Sequence, residues 1–199
     1  VTDGEIPVLL MPGSRREEIE RLLPPMLGAA EILAARDSAR RFFLPVAGGV
    51  DTAQIQRHLA ASSVEVTLTY DARYALMGIA RAAIAASGTV IMETAIMGLP
   101  AVVLYRMSVL SYLVGRLLVD VPRFSLPNIL LGETFETELL QDEVQPERIA
   151  EAMENIIADG AARDYVTERL ARAVAVLGEP NAARRVAEKI LALARTSET

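Results

Sequence analysis

The chain has 199 residues, 52% of them hydrophobic, and a formal net charge of −6. That length fits one domain over residues 1–199, and the acidic balance argues against nucleic acid and against a polybasic membrane surface. With no cysteine and a single histidine, His58, the sequence excludes disulfides, thiolate chemistry and a multi-histidine metal site.

No signal peptide or apolar run of membrane-spanning length is visible, so a soluble, cytoplasmic protein is expected. A buried strand is predicted at Val8–Met11, almost at the first residue. The sequence therefore reads as a domain that begins there, or as one cut from a longer protein at a domain boundary. A helix follows over Arg16–Ala35, with an expected restart at Pro24-Pro25. Next come a strand at Arg41–Pro45, a helix at Thr52–Ala60, a strand at Glu65–Leu68 and a helix at Ala72–Gly78. A strand at Ala82–Ala86, a helix at Val90–Met97 and a strand at Ala101–Tyr105 complete the alternation. The strands are short and apolar on both faces, as in a covered parallel sheet. Strand and helix alternating at this spacing predict an α/β fold built on a doubly wound parallel sheet.

Beyond Tyr105 a helix is expected around Ser108–Leu118, then an irregular stretch, VDVPRFSLPNILLGETF. Phe135–Glu143 reads as a solvated helix start. From Pro146 onward the pattern is helical to the end, making residues 146–199 a C-terminal helical segment.

Two strand–turn–helix junctions carry polar groups. In MPGSRREE, Ser14 and Glu17 have the spacing of a capping box. A capping box leaves Gly13 and Arg15 unexplained. At the carboxyl end of a strand in a doubly wound sheet, a helix start offers free N–H groups to an anion, and an arginine adds a bidentate donor. Both readings stay open; the spacing matches neither a P-loop nor GxGxxG. In ASGTVIMETAIMGLP, Ser87-Gly88-Thr89 forms a tight turn with Ser87 or Thr89 as N-cap, and Gly98 with Pro100 ends the helix. Glu93 sits one turn in and leans toward the mouth. It complements the helix dipole or accepts the two hydroxyls of a ribose.

Three stretches, LLMPGSRREEIERLLPPML, ASGTVIMETAIMGLPAVVLYRMS and SLPNILLGETFETELLQDEVQPERIA, closely resemble the lipid-A-disaccharide synthase family. The resemblance runs from about Ile6 to the last helix, and it is the order of the motifs that makes it specific. It implies a GT-B glycosyltransferase, of which this chain matches the C-terminal, Rossmann-like, nucleotide-sugar-binding half. The implied reaction transfers 2,3-diacylglucosamine from its UDP donor to the 6-hydroxyl of 2,3-diacylglucosamine 1-phosphate. The implied partners are the UDP donor, the lipid acceptor and the N-terminal half, which supplies the acceptor pocket, most of the membrane-binding surface and the catalytic base. The resemblance places the enzyme peripherally at the inner membrane. The apolar spacing of VAEKILALA suits a last helix docking on that half, or an ordinary core helix.

Carried over residue by residue, Arg15 matches the family's essential arginine and would neutralise the diphosphate. Gly13, Ser14, Ser87, Gly88 and Thr89 would supply the phosphate cradle, and Glu93 would hold the ribose. Asn128 would rim the cleft and touch the donor. Tyr105 and Arg106 end a strand and would face the mouth, although a rim salt bridge explains Arg106 nearly as well. His58 reads as a surface or helix-end residue. No metal-ligand cluster and no cofactor are expected. Three other readings stay open: another UDP-sugar enzyme of this fold, such as the one adding N-acetylglucosamine to the peptidoglycan lipid precursor; a non-catalytic nucleotide-binding module; and an interaction domain whose polar turns are only caps.

Overall fold

The structure is a computed structural model, and it describes residues 2, 4–107, 122–178, 184, 186, 187 and 190. Its strands are β1 (Ile6–Met11), β2 (Arg40–Pro45), β3 (Val66–Thr69), β4 (Ala82–Ala86), β5 (Ala101–Tyr105) and β6 (Glu138–Leu140). They form one sheet in the order β3-β2-β1-β4-β5-β6. Every neighbouring pair is parallel. The chain works outward from β1 through β2 to β3, then returns to β4 on the other side of β1. That reversal leaves a crevice beyond the carboxyl ends of β1 and β4, where ligands of such sheets bind.

The helices are α1 (Arg16–Arg36), α2 (Thr52–Ala60), α3 (Arg73–Ile79), α4 (Thr89–Ile96), α5 (Leu126–Leu131), α6 (Pro146–Ile157) and α7 (Ala161–Leu177). Both sheet faces are covered, and successive residues divide strictly between them. Val8 and Leu10 join a large cluster with Leu22, Leu23 and Met26 of α1 and Met153 of α6. Leu9 and Met11 join a smaller one with Leu76 and Met77 of α3 and Ile91 of α4. This is the period-2 alternation of a strand buried on both sides. Among the described residues, no helix is long and apolar enough to cross a membrane.

The expected element order holds, with strand and helix ends within a residue or two. Three details differ. Helix α1 runs unbroken through Pro24 and Pro25, against the expected restart. Each proline removes a helical hydrogen bond at about 3 kcal/mol. Leu22, Leu23, Met26 and Leu27, at most 3% exposed around them, are worth about 1.5–3 kcal/mol apiece, which is enough to hold the helix together. The packing is close: a Cβ on Gly28 would lie 2.9 Å from Pro146 Cγ of α6. The expected solvated helix start at Phe135–Glu143 is instead β6 and a 3₁₀ turn at Gln141–Glu143. The stretch read as irregular contains α5. The helix expected at Ser108–Leu118 lies outside the described residues, as does most of the last helix, VAEKILALA.

Candidate functional site

The crevice at the β1/β4 reversal is a cavity of about 300 Å³ lined by the two helix starts that the sequence singles out. From the β1 side come Gly13, Ser14, Arg15 and Glu18; from the β4 side come Ser87, Gly88, Thr89, Val90 and Glu93; Arg73 of α3 closes a wall. Two arginines and two glutamates line it, and they are paired.

The start of α1 is capped, though not by the expected box. Arg15 is the N-cap, and Glu18 is the third helical residue. Glu18 Oε2 accepts hydrogen bonds from the backbone N–H of Ser14 at 3.1 Å and of Arg15 at 3.2 Å. Its other oxygen pairs with Arg15 Nη1 at 2.6 Å. Glu17 pairs instead with Arg21, one turn on, at 3.0 Å. The register moves one residue because Gly13, at φ +100, extends the turn in a conformation that favours glycine. A Cβ there would lie 2.3 Å from Glu18 Oε2, so the capping carboxylate needs the glycine. The amides of Ser14 and Arg15 are therefore already occupied, and the Arg15 side chain, 82% exposed, lines the crevice with its guanidinium resting on Glu18.

The start of α4 is open. Its N-cap is Gly88, neither Ser87 nor Thr89, and among the described residues no side chain caps it. Ser87 Oγ donates to Phe124 O at 3.3 Å, and Ser87 N donates to Leu104 O at 2.8 Å. The first-turn amides of a helix have no intrahelical acceptor, so those of Thr89 and Val90 remain for a ligand. Glu93 lies one turn in, with Oε2 buried and 3.1 Å from Arg73 Nη2. The contact is an ion pair without hydrogen-bond alignment. Arg73 is the partner that a carboxylate in so apolar a stretch requires. Neither Arg73 nor Glu18 was picked out from the sequence. Glu18 is legible in hindsight as the next acid along from Glu17; Arg73 belongs to no motif.

Three expected ligands stand elsewhere. Asn128 is fully buried, and its amide is saturated. Its nitrogen donates to Glu136 O at 2.9 Å and Glu138 Oε1 at 2.6 Å. Its oxygen accepts from Phe135 N at 3.0 Å and Glu136 N at 3.1 Å. With no hydrogen-bonding capacity left, it pins a loop and does not rim the cleft. Arg106 turns away from the crevice toward the 3₁₀ turn, within 3.3 Å of Gln141 O and 3.4 Å of Val144 O. Tyr105, 37% exposed, packs its ring 5.7 Å from that of Phe124 and does not line the cavity. His58, in the last turn of α2, lies 3.3 Å from Glu20, as expected of a helix-end residue.

Glu138 is a further residue the sequence reading passed over. Its carboxylate accepts from Phe124 N at 2.8 Å, Ser125 N at 3.0 Å and Asn128. It thereby fixes the segment whose carbonyl holds Ser87. Two residues earlier, Glu136 is buried, and neither oxygen has a hydrogen-bond partner of acceptable geometry among the described residues. Burial pushes its carboxyl up to about 8; a nearby Ala101 amide only partly offsets this, and the Glu138 charge adds to it. Among the described residues, no group of three or more His, Cys, Asp or Glu side chains could hold a metal ion.

A family profile described as Lipid-A-disaccharide synthetase matches residues 2–191. The chain is 42% identical over 189 residues to the lipid-A-disaccharide synthase of Anaeromyxobacter sp. (strain K), covering 94% of this chain and 49% of that protein. It is 41% identical over 184 residues to that of Myxococcus xanthus (strain DK1622), covering 92% and 48%. The chain thus spans about half the length of these curated relatives. Among solved structures it is similar to UDP-GlcNAc 2-epimerase from Neisseria meningitidis bound to UDP-GlcNAc, at 18% identity and TM-score 0.62, covering 96% of this chain and 46% of that one. It is also similar to the calicheamicin glycosyltransferase CalG4, at 18% identity and TM-score 0.61, covering 98% and 44%. These last likenesses show the fold, a Rossmann-like half with helices on both faces of a parallel sheet.

Proposed function

The chain belongs to the lipid-A-disaccharide synthase family, and from that premise we propose that it is the donor-binding half of such a glycosyltransferase. The observation that carries the proposal is the open start of α4 sharing one crevice with Arg15 and Glu93. The complete enzyme would transfer 2,3-diacylglucosamine from its UDP donor to 2,3-diacylglucosamine 1-phosphate, releasing UDP. The amides of Thr89 and Val90, with the Thr89 hydroxyl, receive the diphosphate. Arg15 reaches it from the opposite wall and offsets the negative charge that grows as the glycosidic bond breaks. Glu93 accepts the ribose hydroxyls. Gly13 and Ser14 act through the turn that aims Arg15.

The acceptor hydroxyl must also be held near the anomeric carbon and lose its proton to a base. The carboxylates lining the crevice, Glu18 and Glu93, are engaged by Arg15 and Arg73. We therefore assign the base, the acceptor pocket and the main membrane surface to the half of the relatives' length that this chain does not span. A peripheral place at the cytoplasmic face of the inner membrane is supported by the lipid character of both substrates.

Calorimetry with UDP tests the donor assignment. Weak binding is expected, equal with and without EDTA, since half a cleft buries less of the ligand than a whole one. A strict Mg²⁺ requirement would overturn the metal-free cradle. Alone, the chain should form no disaccharide from radiolabelled acceptor, and adding a separately expressed N-terminal half should restore turnover. Robust turnover by the chain alone would overturn the two-half reading.

A further inference from the structure

We propose that Arg73 is a positioning residue for Glu93, fixing the carboxylate in the orientation that receives the ribose diol. The inference rests on the reading of the crevice as a UDP-sugar site and adds a residue to it.

Glu93 Oε2 is buried and takes no hydrogen bond from a described residue, and its charge is met by Arg73 Nη2 at 3.1 Å. The other oxygen accepts no hydrogen bond from a described residue and is left for a ligand. Arg73 is held in its turn: its guanidinium carbon sits 4.9 Å over the Tyr74 ring, and Nη2 donates to the Tyr74 hydroxyl at 3.1 Å. The arginine starts α3 and the glutamate lies on α4, so the pair joins two elements across one wall of the crevice. A glutamate has several rotamers, and freezing them costs free energy on binding unless the folded protein has already done so. Arg73 does this before the ligand arrives. It also balances the carboxylate's charge close to where the diphosphate must settle. Direct contact between Arg73 and the diphosphate is the competing arrangement, and it makes a different prediction.

The two are separated by NMR titration of the chain with uridine, 2′-deoxyuridine and UDP, in the wild type, Arg73→Ala, Arg73→Lys, Glu93→Gln and Arg73→Ala/Glu93→Gln proteins. Loss of a positioning contact should weaken uridine and UDP by one common factor, about three- to tenfold, with 2′-deoxyuridine affected less. Lysine should restore most of the loss. In the Glu93→Gln background, Arg73→Ala should add nothing. Weakening of UDP with uridine untouched, additive losses in the double variant, or no effect of Arg73→Ala while Glu93→Gln weakens uridine would each overturn the role given to Arg73. Absence of UDP and uridine binding by the wild type would overturn the donor-site reading itself, and this role with it. Arg73 is 38% exposed, so its variants should fold; Arg73→Lys keeps the test decisive if the alanine variant does not.

Discussion

The starts of α1 and α4 flank the same crevice and end the same kind of turn, yet they are finished differently. At α1 the protein closes its own site: Glu18 takes the amides of Ser14 and Arg15. At α4 no side chain of a described residue does so, and the supporting bonds are made behind the turn, by Ser87 to Phe124 and by Glu138 to the amides of Phe124 and Ser125. One helix start offers a cation on a fixed base, the other offers unpaired N–H groups. A strand–turn–helix junction therefore does not bind anions by virtue of its position alone; what matters is whether the fold leaves its amides unspent.

The largest effect should come from the support behind α4. Asn128→Ala strands the buried amides of Phe135 and Glu136 and removes a donor to Glu138. Each unsatisfied buried group costs about 1–3 kcal/mol, so a loss of about 3–5 kcal/mol is expected. Denaturant melts read it. UDP affinity of the molecules that remain folded should change by less than about threefold, since this is roughly the scatter expected for a residue without ligand contact. A selective loss of UDP affinity with unchanged stability would return Asn128 to the cleft rim.

On the α1 side the matching substitution is Gly13→Ala. It forces alanine into φ +100 and sets its Cβ against Glu18 Oε2. The strain of about 1–2 kcal/mol and a lost cap of about 0.5–2 kcal/mol should together lower stability by about 1.5–4 kcal/mol. UDP should bind less well, because Arg15 loses its base, while uridine should be unaffected. An unchanged melting temperature would mean that Glu18 caps the helix some other way.

Arg15→Ala sharpens the contrast while leaving the Glu18 bonds to the amides of residues 14 and 15 in place. UDP should lose about 1.5–3 kcal/mol, the worth of a hydrogen bond to a charged group, and uridine should lose almost nothing. Equal losses for both ligands would break the division between a cationic wall and an amide wall.

The α4 support also carries a cost that depends on pH. The folded protein keeps the Glu136 proton up to about 8, whereas the ordinary value is 4.5. The unfolded chain thus releases the proton first. Stability from this group is fully present below about pH 4.5 and is lost progressively as pH rises to about 8. Glu136→Gln should therefore raise the melting temperature little at pH 5 and more at pH 8. A gain of about 1 kcal/mol there corresponds to about 2–4 °C. A gain that is constant across this range would contradict the buried, protonated state.

Much of this was legible in the sequence because it depends on local pattern. Apolar strands separated by helices of ordinary length dictate a parallel sheet, and Gly98 with Pro100 marks the end of α4 to within a residue. What was not legible depends on partners far along the chain or on backbone geometry. The one-residue difference between Glu17 and Glu18 is fixed by the φ of Gly13, which no pattern reports. A buried asparagine and a ligand-binding one look identical in SLPN, and only the meeting of α5 with residues 135–138 tells them apart. Arg73 is invisible beside Glu93 because nineteen residues, a strand among them, lie between the two. Three-residue β6 is too short to show a period, and it exists because β5 offers it an edge.

The smallest effect expected is at Arg106, which sequence reasoning put at the mouth of the crevice. Its guanidinium instead approaches the carbonyls of Gln141 and Val144 at the long end of the hydrogen-bond range, 3.3 and 3.4 Å. The 3₁₀ turn it braces is held independently. Gln141, at φ +51, accepts from Met107 N at 2.7 Å through its side-chain oxygen and donates back to Met107 O at 3.3 Å. Removing the arginine takes two long, weak hydrogen bonds from the carbonyls of buried Gln141 and Val144 and leaves the turn intact, so Arg106→Ala should cost about 1 kcal/mol of stability. UDP affinity should stay within about twofold, a change of less than about 0.5 kcal/mol. Thermal melts and the UDP titration used for Arg15 measure both. A loss of UDP affinity as large as that of Arg15→Ala would mean that Arg106 swings into the crevice when the diphosphate arrives, and the division of labour between the two helix starts would have to include a second cation from the end of β5.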